Sequence, residues 1–170
     1  ATPLAKRLSK FKAKLAYQNP NPQRHQKGPD RALSVGKLHD LLEFFRDYIR
    51  DRSAYYMDKN LLQPLTKAAS LSYAELVGAG QVEYFVSHFW GTAFEHFCAS
   101  LRKHAEISCG ARHWTELRYW VCFCSNNQHQ LSDELGAGWE DSSFYIALKS
   151  GHCRGTCMVL DDKALPLTRI

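Results

Sequence analysis

Tyr84-Phe85-Val86-Ser87-His88-Phe89-Trp90-Gly91 is the stretch from which the rest of the chain can be read. Tyr84, Phe85 and Val86 have the aromatic and β-branched composition of a buried strand. Ser87 and His88 follow at once. After Gly91, residues Phe94, Phe97, Cys98 and Leu101 recur at i, i+3, i+4 and i+7, the spacing of one helix face. A buried strand that ends in small polar groups and runs into a helix is the start of a βαβ unit. In open α/β sheets the ligand sits beyond the carboxyl ends of the strands, so Ser87 and His88 are the first candidate site residues.

The same rhythm continues downstream. Arg118–Cys124 is apolar on both faces, as a covered parallel strand requires, and leads into Ser125, Asn126, Asn127 and Gln128. Asp141 or Ser142 is placed to cap a helix that Gly151 stops, and Thr156–Leu160 is a third strand ending in Asp161 and Asp162. Intervening helices imply parallel pairing. The polar groups at the three strand ends should then converge, with Trp90 beside them, as a pocket for a nucleotide or another polar ligand. The alternative is that they cap neighbouring helices and loops.

Upstream the pattern is helical. Ser34 precedes a broad apolar stripe of Val35, Leu38, Leu42, Phe45 and Ile49, predicting a buried helix to about Arg52. Residues 60–70 are a weaker pattern interrupted by Pro64, and Ser72 with Glu75 has the spacing of a capping box. Residues 18–31 hold three prolines and Gly28 and read as a linker. The expected organisation is a basic arm and linker over 1–31, a helical cap over 32–80 and an α/β domain over 81–170.

Charge is unevenly placed. Residues 1–31 are net +7, whereas the remaining 139 are net −2. Within the arm, Leu4, Leu8, Phe11 and Leu15 form an apolar stripe, and Lys6, Arg7, Lys10 and Lys14 surround it. A basic amphipathic helix of this kind suits an acidic protein partner or an anionic membrane surface, or it packs on its own domain. Nucleic-acid binding has only this arm in its favour. No apolar run approaches the ~20 residues needed to span a bilayer. The six cysteines lack a Cys-x-x-Cys pair and read as free thiols of a reducing compartment. No histidine or cysteine pair has a zinc spacing, no Gly-rich loop follows a strand, and no thiol sits on an exposed elbow. Neither metal, phosphate-loop nor Cys–His hydrolase chemistry is expected from the residues.

Taken together, Phe85-Val-Ser-His-Phe-Trp-Gly, Tyr119-Trp-Val-Cys, Asn126-Asn-Gln, Ser143-Phe-Tyr and Leu160-Asp-Asp with Pro166-Leu-Thr-Arg resemble a set of uncharacterised proteins abundant in dinoflagellate algae. Those proteins are similar to the Toll/interleukin-1 receptor (TIR) domain. The resemblance covers about residues 34–170. It implies a flavodoxin-like parallel sheet with the first strand central, and either signalling by self-association or cleavage of NAD. NAD-cleaving TIR domains use a helical Glu, and relatives carry one shortly after the Thr-Arg pair; the present sequence reaches Ile170 before an equivalent.

The expectation is therefore a small α/β module, incomplete at its C-terminal end, that acts without catalysis or cofactor through protein contacts. Leu4, Lys6, Arg7, Leu8, Lys10, Phe11, Lys14 and Leu15 would dock it as a peripheral subunit of a larger assembly. The absent initiator Met and the algal resemblance suggest an organelle such as the plastid, and a membrane assembly such as a photosystem. The alternative is a TIR-like enzyme acting on NAD or another nucleotide, with Ser87, His88, Trp90, Asn126, Asn127 and Asp161 around the ligand.

Overall fold

A computed structural model describes residues 1–168. Among them, β1 (Leu33–Ser34), β2 (Tyr84–His88), β3 (Arg118–Trp120) and β4 (Gly155–Val159) form an open mixed sheet in the order β1-β3-β2-β4. β2 lies parallel to β3, with Tyr84 opposite Tyr119, and parallel to β4, with Val86 opposite Cys157. The chain thus steps from β2 to one side and then crosses back to the other. β1 is an antiparallel edge, Leu33 opposite Tyr119, that the sequence did not announce because two residues carry no periodicity.

The helices follow from their sequence signals. They are α1 (Pro3–Gln18), α2 (Val35–Ile49), α3 (Ala54–Met57), α4 (Gln63–Thr66), α5 (Tyr73–Val77), α6 (Phe94–Cys109), α7 (Cys122–Ser125), α8 (Leu131–Leu135) and α9 (Ser143–Lys149). The capping box at α5 is complete. Ser72 Oγ accepts the Glu75 N–H, the Glu75 carboxylate accepts the Ser72 N–H, and Gly78 closes the helix in the left-handed conformation. Ser142 Oγ accepts the Tyr145 N–H and caps α9. Pro64 does not break its helix, because a π turn over Asp58–Leu62 joins α3 to α4 and the proline falls in the first turn of α4.

Alternating strand residues feed two cores. Val86, Tyr119 and Val159 face the larger one with α2 and α6, where Leu38, Leu41, Phe45, Phe97 and Leu101 are buried. Phe85 and Trp120 face the smaller, stacked 4.9 Å apart and covered by Phe144 and Ala147 of α9. Tyr119 and Trp120 of β3 are thus buried on opposite faces, as a covered strand requires, whereas β4 leaves Thr156 and Met158 exposed on one face.

Three expectations are corrected. First, the reading of 118–124 as one strand overshoots. The backbone leaves the sheet at Val121 and turns through α7, Ser125 Oγ accepting the Val121 N–H at 3.0 Å, so Cys122 and Cys124 lie on a helical turn. Second, residues 18–31 are not a free linker. The Trp120 indole donates to the Gly28 carbonyl at 3.1 Å, and Gly28, at φ 126°, lies so close to Ile146 that an added Cβ would sit 2.6 Å from its Cγ2. Third, the apolar stripe of α1 packs on its own chain: Phe11 and Leu15 are buried, Phe11 lies 4.7 Å from Phe44 and 5.1 Å from Phe45, and Leu4 and Leu8 are half-buried beside them. Arg7 donates to the Phe44 carbonyl and covers its ring, and Lys14 lies over the same ring. Of the expected docking residues only Lys6 and Lys10 are exposed. No helix among the described residues is long and apolar enough to cross a membrane.

Candidate functional site

The strand-end residues divide into two groups, because alternation sends Ser87 and His88 to opposite faces. Ser87 is half-buried on the α9 side. His88 is buried against Phe97 (4.8 Å) and Phe123 (5.4 Å). Its Nε2 lies 3.4 Å from Cys122 Sγ, and the Trp90 indole N–H donates to the same sulfur at 3.0 Å. The half-buried Cys122 is therefore held between an imidazole and an indole at the carboxyl ends of β2 and β3.

Asn126 and Asn127 act as clips. The Ser143 hydroxyl donates to Asn126 Oδ1, tying the segment after β3 to the start of α9. Asn127 donates to the Ser70 carbonyl at 2.7 Å and accepts the His129 N–H at 3.0 Å. Both are buried and bonded within the chain, and neither lines the cavity at the ends of β2 and β4. Strand-end polar groups here serve the loops they begin, as the alternative reading of the sequence had it.

A cavity of about 460 Å³ does lie at the sheet's carboxyl edge, between the ends of β2 and β4. It is lined by Phe89, Gly91, Thr92, His96, Asp161 and Asp162, among others. It lies beyond the carboxyl ends of two neighbouring parallel strands, the edge at which ligands of open α/β sheets bind. The Phe89 ring lies close over Gly91, where an added Cβ would fall 2.3 Å from its Cε1 and the ring would have to shift. Asp161 Oδ1 accepts the Leu165 N–H at 2.9 Å, and His96 Nε2 lies 3.0 Å from the Leu160 carbonyl. The buried Thr92 hydroxyl has no partner among the described residues. Of the six expected ligand residues only Asp161 lines this cavity. Sequence reasoning missed Thr92 and His96, although their place just after β2 and in the first turn of α6 was a usable signal.

A second set of polar residues was invisible in the sequence. Arg31 is buried with Glu75 and Glu134. Its Nε lies 3.3 Å from Glu75, its Nη1 pairs with Glu134, and its Nη2 donates to the His25 carbonyl at 2.7 Å. The His25 N–H also donates to Glu75, at 2.7 Å. This network nails the proline-rich strap to α5 and α8. A cavity of about 450 Å³ opens beside it, lined by Lys27, Asp133 and Asp141. No cluster of three or more metal-ligating side chains occurs among the described residues. Compared with known proteins, the chain matches no family model, no curated protein and no solved structure.

Proposed function

We propose that this chain is a non-catalytic interaction module, a peripheral subunit of a larger assembly, that engages an acidic protein segment through the outer face of α1. The observation that carries this reading is how that face is presented. Burial of Phe11 and Leu15 leaves Lys6, Lys10 and Lys12 exposed on a helix with no acidic residue. Tyr17 is 90% exposed at its end. An apolar cleft of about 200 Å³, lined by Lys12, Leu15, Pro20, Pro22, Leu65 and Leu76, adjoins it. An acidic segment carrying one apolar side chain matches both features. The docking element is thus the polar face of the helix, and the apolar face is its foundation.

The test is the triple charge reversal K6E/K10E/K12E in the full chain. Native fractionation of source-cell membranes, with mass-spectrometric detection, should find the wild type in a large complex and the variant released, with unchanged circular dichroism. Equal retention of the variant refutes the reading. Binding to vesicles of anionic lipid in the absence of protein would replace the protein partner by a membrane surface.

A second reading is favoured by the cavity at the carboxyl ends of β2 and β4: a binding site for a nucleotide such as NAD, consistent with the TIR-like motifs. The support is the position of Asp161, Asp162, Thr92 and the start of α6 around one cavity. Titration with NAD followed by calorimetry tests it; no heat and no shift in melting temperature would remove it.

A further inference from the structure

The cysteine at the start of α7 is set apart from the other five by its neighbours. Cys98 and Cys124 are fully buried, and burial pushes both thiols far above their ordinary range. Burial also raises Cys153 and Cys157. Cys109 donates its S–H to the Ala105 carbonyl at 3.0 Å, a contact that only the protonated thiol can make. Among the described residues, only Cys122 has an imidazole nitrogen, His88 Nε2 at 3.4 Å, and a pure donor, the Trp90 N–H at 3.0 Å, on its sulfur. An indole N–H can only donate, so it favours the thiolate. An imidazole can take the thiol proton and hold it beside the anion. The ring is fixed by Phe97 and Phe123, so the pair is preorganised and does not rely on a mobile side chain. Cys122 is half-buried, unlike the fully buried Cys98 and Cys124.

We propose that Cys122 is a reactive thiol, oxidised by hydroperoxides, with His88 as its proton acceptor and donor. In the step itself the Cys122 proton moves to His88 Nε2. The thiolate sulfur attacks one oxygen of hydrogen peroxide, an S–O bond forms and the O–O bond breaks. The departing hydroxide takes the proton from the His88 imidazolium and leaves as water. Sulfur is oxidised by two electrons to the sulfenic acid, and the peroxide is reduced by two. Trp90 is a positioning residue that holds the sulfur and its charge. Changing the sulfur from donor or acceptor partner to an S–OH group alters contacts with both β2 and the Trp90 loop, so the modification reports to the candidate surface at the sheet's carboxyl edge.

The experiment uses the full, reduced chain at neutral pH. One equivalent of iodoacetamide, or hydrogen peroxide followed by dimedone, is applied, and all six cysteines are quantified by peptide mass spectrometry. Cys122 should be modified about tenfold faster than Cys109, which has similar exposure and serves as the internal clock. His88→Gln and Trp90→Phe should each slow Cys122 several-fold and leave Cys109 unchanged. If His88→Gln does not fold, Trp90→Phe with the internal clock decides. Reaction of Cys122 at or below the rate of Cys109, or rates unaffected by the variants, overturns the proposal.

Discussion

Replacing Arg31 by Ala should destabilise this protein more than any substitution on its surface. Arg31 is 5% exposed, and its carboxylate partners are as deeply placed, Glu75 at 0% and Glu134 at 3%. Removing the cation leaves two buried acids facing each other and frees the His25 carbonyl that Nε and Nη2 hold. Breaking a buried pair from one side costs about 3–5 kcal/mol, mostly from the charge left behind. With a urea slope of about 2 kcal/mol/M, the unfolding midpoint should fall by about 2 M. Intrinsic tryptophan fluorescence follows the transition, since Trp120 is tied through Gly28 to the same strap. Arg46→Ala is the control: it also removes a doubly paired arginine, bonded to Glu43 and Glu95, but at a solvated surface, and its midpoint should stay at the wild-type value. Glu134→Gln, which keeps the shape and an acceptor for Arg31, should lose less than Arg31→Ala. A midpoint shift for Arg31→Ala no larger than that of the control would refute the view that the strap is clamped by this network.

Other consequences are directly measurable. Phe11→Ala should cost about 3 kcal/mol in the same urea titration, because a buried aromatic ring is removed from the main core; an unchanged midpoint would mean that α1 unfolds independently of the rest. Ser72→Ala should lower the melting temperature by a few degrees through loss of about 1 kcal/mol of capping, read by differential scanning calorimetry. Burial raises the Asp58 carboxyl above its ordinary range, although Gln63 donates to it at 2.8 Å. A raised folded value means its favourable contribution is present below the unfolded pKa of about 4 and lost as pH rises through the folded value. Asp58→Asn should therefore stabilise the protein at pH 7 and bring little gain near pH 4; a gain that grows on acidification would contradict the assignment.

The α/β character, the three parallel strands, the capping box at α5 and the Ser142 cap of α9 were all legible in the sequence. Each rests on contacts within a few residues: hydrophobic period, a hydroxyl three residues before an amide, a glycine at a helix end. What lay beyond reach depends on partners distant along the chain. The burial of Arg31 needs Glu75 and Glu134, which approach only after the sheet and α8 are in place. The basic helix is as well suited to a partner as to its own core, and only the packing of Phe11 on Phe44 and Phe45 decides which face is left for solvent. The end of β2 was correctly placed and that of β3 was not, and the side chains diverge at both: alternation sends Ser87 and His88 apart, and Asn126 and Asn127 commit their polar groups to Ser143, Ser70 and His129. Cys122 meets His88 because the backbone turns out of β3 at Val121, a departure set by a tertiary arrangement that no local periodicity encodes. Local spacing determines which elements form; which side chains face one another is decided by the long-range packing that closes the fold.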